Sequence, residues 1–192
     1  RETFGGVHKK YQVFPDLCMF GKALGNGYAI TAVIGKREIM ESAQKTFISS
    51  TFWTERIGPT AGLATLKEME TIKSWDIITN YGKIIKNNWR KLASNHELNI
   101  EINGMDALAG FIIKSDNWLK YKTYITQSML EKGFLAANVI YSSTKHSENI
   151  IEKYSENLSE VFEQINKFER GIDSVDKHLI SDVCHSGFKR LN

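Results

Sequence analysis

The residues best suited to chemistry lie in one short stretch, Pro15-Asp16-Leu17-Cys18-Met19-Phe20-Gly21-Lys22-Ala23-Leu24-Gly25-Asn26-Gly27-Tyr28. A lysine stands there between an apolar run and a glycine-rich turn. Gly21, Gly25 and Gly27 let the backbone come close to a ligand. A lysine held in such a place can shed its hydration, lose its proton more readily and condense with an aldehyde. The stretch is not a Walker phosphate-binding loop, because Lys22 precedes the glycines and is followed by Ala23 rather than Ser or Thr. Since a Gly-Lys pair is common, local chemistry leaves two readings open: a Schiff-base lysine, or a surface lysine in a turn.

The other reactive groups carry less. His8, His96, His146, His178 and His185 form no i, i+4 pair and have no Cys-x-x-Cys partner, and the adjacent Cys184-His185 is poor ligand geometry, so no metal site is expected. His146 reads as a loop or cap residue before the last helix. Cys18 has no evident base partner and reads as a structural thiol. Arg56 has the fork that pairs with a substrate carboxylate, against the plainer reading of Glu55-Arg56 as a surface ion pair. Phe52 and Trp53 serve as pocket wall or core.

Composition bounds the rest. The chain has 192 residues, 42% hydrophobic and 24% charged, which is ordinary for a soluble globular protein. The formal net charge of +3 is too small to argue for a nucleic-acid or membrane partner. No apolar run reaches the length of a membrane helix, and no secretory leader is evident. Two cysteines far apart do not make a disulfide framework, so a cytoplasmic setting is expected. The chain opens on Arg1 without a cap or lead and reads as a fragment of something longer.

The elements that must position Lys22 follow from periodicity. Glycine and proline punctuate the first sixty residues, as tight loops near a site require. Residues 29–34 read as a buried strand, 37–43 as a short helix and 46–52 as β-prone. Pro59 stands where a helix can begin. From Ser74 a helical stripe runs through Ile77, Ile78, Tyr81, Ile84, Ile85, Trp89 and Leu92, with Lys83, Lys86, Arg90 and Lys91 largely off it as a solvated face. Strands are expected over 98–102 and 107–114, with Asn103-Gly104 as the turn. A helix follows from a cap at Ser115 or Asp116 to Lys132, ended by Gly133. After a short strand over 138–142, Ser147 caps a last helix with the stripe Ile150, Ile151, Tyr154, Leu158, Val161, Phe162, Ile165 and Phe168. Residues 75–170 thus read as a small sheet covered by helices on one face.

The order of motifs resembles the class III aminotransferases, closest to the glutamate-1-semialdehyde aminomutase branch. Pro15-Asp16-Leu17, then Gly21-Lys22-Ala23-Leu24-Gly25-Asn26-Gly27, then Ala32-Val33-Ile34-Gly35-Lys36 is similar to the family's cofactor-lysine signature. Thr46 to Phe52 followed by Gly58-Pro59-Thr60-Ala61-Gly62-Leu63-Ala64-Thr65-Leu66 resembles its threonine turn and helix, and Gly133-Phe134 to Ser143, then His146-Ser147 and the helix, its small-domain ending. The resemblance covers about residues 1–170. It implies an α/β fold, the fold type I PLP-dependent transferases, of which this is a C-terminal portion. Residues 1–74 would end the large PLP-binding domain, 75–170 form the small α+β domain, and 171–192 a tail. It further implies pyridoxal 5′-phosphate as cofactor, Lys22 as the residue forming the internal aldimine and moving the proton, and Thr51 (with Thr54 as the alternative) reaching the phosphate of a neighbouring subunit's cofactor in a homodimer. The activity would be amino-group transfer or an aminomutase shift on a small amino or oxo substrate. Asn26, Tyr28, Ala29 and Thr31 depart from the family's usual residues and bear on substrate. The pyridine-nitrogen aspartate and phosphate cup would precede Arg1, so this chain alone should bind the cofactor poorly. The alternative is a non-enzymatic α+β interaction or regulatory domain with Lys22 as an ordinary loop residue.

Overall fold

The computed structural model describes residues 1–187. The chain divides into two compact units, Arg1–Asp76 and the residues from Ile77 onward. The last residues expected in the tail, 188–192, lie outside the described residues.

The first unit is built on a two-stranded antiparallel hairpin. Strand β1 (Leu17–Phe20) pairs with β2 (Ala32–Gly35), Leu17 opposite Gly35 and Phe20 opposite Ala32. Asp16 and Lys36 close its open end: the Lys36 amide donates to the Asp16 carbonyl at 3.0 Å and the two side chains pair at 2.6 Å. Gly35 must be glycine, since a Cβ there would lie 2.4 Å from the Asp16 carbonyl oxygen. Helix α1 (Arg37–Met40) continues as a 3-10 turn, Glu41–Lys45. Helix α2 (Ile57–Ile72) ends at Lys73, whose φ of 49° is left-handed.

Two expectations for this unit are corrected. The strand begins at Ala32, not Ala29, because Ile30 is drawn onto α2 instead of the sheet. A Cβ on Gly58 would lie 3.3 Å from the Ile30 Cβ, and one on Gly62 would lie 3.5 Å from its Cδ1. Residues 46–52 form no strand; they run as coil into a turn at 51–54, with Phe47 and Phe52 exposed and no partner strand among the described residues.

The second unit packs helices on a three-stranded antiparallel sheet of order β3-β4-β5: β3 is Ile100–Met105, β4 Leu108–Ile113 and β5 Val139–Tyr141. Helix α3 (Ser74–Asn95) leads into it, α4 (Trp118–Glu131) joins β4 to β5, and α5 (Glu148–Glu169) closes it. Trp89, Phe111, Tyr121, Phe162 and Ile165 are fully buried at its centre, with the Trp89 and Phe111 rings edge-to-face at 4.9 Å. Polar bonds tie α3 to α5: Trp89 Nε1 donates to the Tyr154 hydroxyl at 3.0 Å, Asn88 to Ser155 at 3.0 Å, and His96 and Ser159 lie 2.8 Å apart.

Helix ends follow the sequence where capping chemistry is local. The Ser147 hydroxyl accepts from the Ile150 amide at 3.3 Å. Gly133 (φ 83°) ends the fourth helix, with Phe134 N donating to the Met129 carbonyl and Gly133 N to the Leu130 carbonyl. The N-cap of α4 is instead Asn117, with no side-chain bond. Ile150 leaves the buried stripe of α5 at 44% exposure.

The hairpin turn is displaced. Met105 pairs with Leu108, so the turn is Asp106-Ala107 rather than Asn103-Gly104. The cause lies on α3: a Cβ on Gly82 would sit 1.7 Å from the Asp106 carbonyl oxygen, and Lys86, one helical turn on, donates to the Gly104 carbonyl at 2.7 Å and pairs with Asp106 at 3.0 Å. Residues 171–184 of the expected tail pack on this unit. Gly171 (φ 66°) turns the chain back after α5, Val175 is buried in the core, Gln127 bonds the His178 carbonyl and the Ile180 amide, and the Cys184 amide donates to the Thr123 hydroxyl. Among the described residues no helix is long and apolar enough to cross a membrane.

Candidate cofactor site

Lys22 is the first residue after Gly21, which itself follows β1 directly, and it opens a 3-10 turn, Lys22–Leu24. Its φ of 48° is left-handed, a strained conformation for a lysine that persists only where the surroundings hold it. Two contacts hold this loop. A Cβ on Gly25 would lie 2.0 Å from the Tyr28 carbonyl oxygen, so only glycine permits the tight Gly25–Tyr28 turn, closed by a 3.1 Å bond between the Tyr28 amide and the Gly25 carbonyl. Helix α2 then lies against Leu24 and Ile30 through the notch of Gly58 and Gly62.

Lys22 lines an open hollow of about 720 Å³ with Gly27, Tyr28, Ala29, Ile30 and Thr31. Its side chain is exposed, so the desolvation expected from sequence is not supplied by the described residues. Its amine makes no hydrogen bond or ion pair among them. At Gly27 (φ 108°) a Cβ would meet nothing within 4 Å, which leaves the turn open beside the lysine. An unpaired amine, a strained anchor and open space next to it fit an aldehyde-bearing cofactor.

Thr51 does not share this hollow. It sits in the exposed turn at 51–54 and has no hydrogen-bond partner among the described residues; Thr54 lies in the same exposed turn. Glu55 is not the ion-pair partner of Arg56. Its carboxylate accepts from the Ile57 and Gly58 amides and so caps α2, leaving Arg56 without a partner among the described residues. Phe52 and Trp53 are both exposed, at 76% and 69%, so neither is core.

Three features escaped the sequence reading. Cys18 has an imidazole beside it, with His8 Nδ1 4.0 Å from its sulfur; the nine residues between them hid the pair. The Asp16–Lys36 closure was equally non-local. The notch of Gly58 and Gly62 had a signal, the i, i+4 glycine spacing that allows close backbone approach on a helix. His146 is the loop residue expected: its Nδ1 accepts from the Ser143 amide at 3.3 Å, and burial lowers its pKa. Among the described residues no three His, Cys, Asp or Glu side chains gather as a metal-binding group.

The sequence matches the family "Aminotransferase class-III" over residues 2–167. The chain belongs to the class III aminotransferases. It is 30% identical over 171 residues to the 3-aminobutyryl-CoA aminotransferase of Cloacimonas acidaminovorans, covering 84% of this chain and 41% of the relative. It is 28% identical over 177 residues to the glutamate-1-semialdehyde 2,1-aminomutase of Methanocaldococcus jannaschii, covering 83% and 41%. The fold is that of the transaminases. The FumI protein of Sphingopyxis sp. MTA144, solved in its PLP internal aldimine form, superposes with a TM-score of 0.77 at 17% identity over 88% of this chain and 42% of that one. An omega-transaminase from Sphaerobacter thermophilus gives 0.74 at 18% identity over 86% and 42%. The chain therefore spans about 41% of the length of the curated relatives it matches.

Proposed function

We propose that this chain is part of a PLP-dependent aminotransferase or aminomutase in which Lys22 holds the cofactor. Family membership supports the reaction class, and the observation that carries the residue assignment is the exposed, unpaired Lys22 on a left-handed backbone beside an open hollow. When bound, PLP supplies an electron sink for the substrate carbon. The chain's own task is to present the Lys22 Nζ as covalent anchor and then, once displaced by the substrate amine, to carry a proton to and from the substrate carbon. The strained turn fixes where Nζ starts, and the glycine notch on α2 keeps that turn from relaxing.

Thr51 is the proposed contact to the cofactor phosphate, given to a neighbouring subunit of a homodimer. Its exposure, its lack of a partner and its absence from the Lys22 hollow support donation outward. Residues 1–74 and 75–170 would then be the end of the large cofactor-binding domain and the small domain. Because the chain covers about 41% of its relatives, we take the remaining cofactor contacts to lie outside it, and the 192-residue chain alone to hold PLP weakly. Relatives of both activities match, and the choice between transfer and shift goes with the substrate.

The test is reduction with borohydride in the presence of PLP, followed by peptide mapping. A pyridoxyl group on Lys22 is the expected result in a protein carrying this chain together with the remaining length of its relatives. A folded protein of that length with no label on Lys22 would return the non-enzymatic reading.

A further inference from the structure

The two cysteines of this chain stand in different surroundings. Cys184 is committed: its thiol donates to the Leu119 carbonyl at 3.5 Å and its amide to the Thr123 hydroxyl at 2.9 Å. Cys18, half-buried on β1, has its sulfur 4.0 Å from Nδ1 of His8, within reach of a sulfur hydrogen bond. Neither of these two side chains has another hydrogen-bond or ion-pair partner among the described residues. The loop around His8 fixes the approach. Val7–Lys9 form a 3-10 turn, closed by the Lys10 amide on the Val7 carbonyl at 3.0 Å, and the Val13 amide donates to the His8 carbonyl at 3.0 Å. Gly6, at φ 114°, lets the ring lie back over the chain: a Cβ there would sit 2.8 Å from Nδ1 of His8. It would also sit 3.3 Å from Cε1 of Phe20, the residue that shares a face of β1 with Cys18. The nearby carboxylates of Glu2 and Asp16 are engaged elsewhere, with Lys10 and with Lys36. The imidazole therefore faces a thiol and no acid.

A thiol reacts as its thiolate, and a neighbouring imidazole is suited to take its proton. We propose that Cys18 is a modification site for small disulfides, with His8 as its base. In the tautomer that carries hydrogen on Nε2, Nδ1 takes the thiol proton as the sulfur attacks. The S–S bond of the disulfide breaks. One half stays on Cys18 as a mixed disulfide, and the other leaves as a thiolate and takes the proton back from His8. One thiol is consumed and one released, so no further oxidant is needed. The adduct would stand on the strand that runs directly into the Lys22 loop. The site does not depend on what Lys22 holds.

The test is a time course of the full chain with glutathione disulfide at neutral pH, without cofactor, reading the mixed disulfide at each cysteine by peptide mapping. Cys18 should be modified about tenfold faster than Cys184, and His8→Gln should slow Cys18 about tenfold while leaving Cys184 as it was. In His8→Ala, added imidazole should restore much of the Cys18 rate, which a merely structural histidine would not allow. In urea, where both cysteines are solvated alike, the wild-type rates should converge. A variant that simply unfolds is recognised by equal rates at the two sites, and the contrast between folded and unfolded wild type then decides alone. Cys18 reacting no faster than Cys184 in the folded wild type, an unchanged Cys18 rate in folded His8→Gln, or no response of folded His8→Ala to imidazole would each overturn the proposal.

Discussion

The two units of this chain are held by different means. From Ile77 onward, aromatic and aliphatic side chains of α3, β4, α4 and α5 close a continuous core, and every buried hydrophobic side chain among the described residues lies there. In the unit before it, the buried residues are Gly25, Gly58, Gly62 and Ser74, while Phe14, Met19 and Phe47 are 86%, 85% and 96% exposed. Yet that unit carries Lys22 and Thr51. Its local geometry comes from glycine contacts, a hairpin and a carboxylate cap, none of which buries much apolar surface. Among the described residues of this chain, the buried apolar surface belongs to the second unit.

The contrast can be broken most directly by core truncation. Trp89→Ala should destabilise the second unit by about 3–5 kcal/mol, and Phe47→Ala the first by less than about 0.5 kcal/mol. Urea unfolding followed by circular dichroism reads both, and similar costs would erase the distinction. Next comes Gly82→Ala, which forces the Asp106 turn off α3 and should cost about 1–3 kcal/mol; hydrogen exchange at the Met105–Leu108 pair should speed up in parallel.

In the first unit, chemistry and stability should move in opposite directions. Lys22→Gly removes the amine and relieves the positive φ, so borohydride labelling should vanish while stability holds or rises by up to about 1 kcal/mol. A loss of stability would mean that the lysine side chain supports the loop. Smaller still is the pH dependence of the second unit. Burial lowers the pKa of His146, so the unfolded chain takes up its proton more readily. Its contribution is full above the ordinary imidazole value and is lost as pH falls from about 6.5. His146→Gln should flatten that slope. The Asp173 carboxyl is held low by the Ser174 amide and then by His178, so its share persists until pH falls through the acid carboxylate range; Asp173→Asn should remove only that acid limb.

What the sequence determined by itself was whatever depends on near neighbours along the chain. The stripe of α3, that of α5 apart from Ile150, the Ser147 cap and the Gly133 stop are local in this sense, and they appear where periodicity and capping put them. So does the glycine turn after Lys22, because the steric demand that selects glycine there acts within a few residues. What only the tertiary structure decided depends on surfaces distant in sequence. Asn103-Gly104 has the composition of a turn, but Gly82 and Lys86 on another element move it to Asp106-Ala107. Residues 46–52 have β propensity but no strand to pair with among the described residues, and a strand without a ladder is not stable. The segment after α5 has no period to read, yet Val175 finds a place in the core and Gln127 clips its backbone. Likewise Arg56 and Tyr28, 28 positions apart, meet at one hollow because the notch of Gly58 and Gly62 seats α2 on the Lys22 loop. Propensity and sterics act over a few residues, whereas burial and pairing wait for the partner surface to arrive.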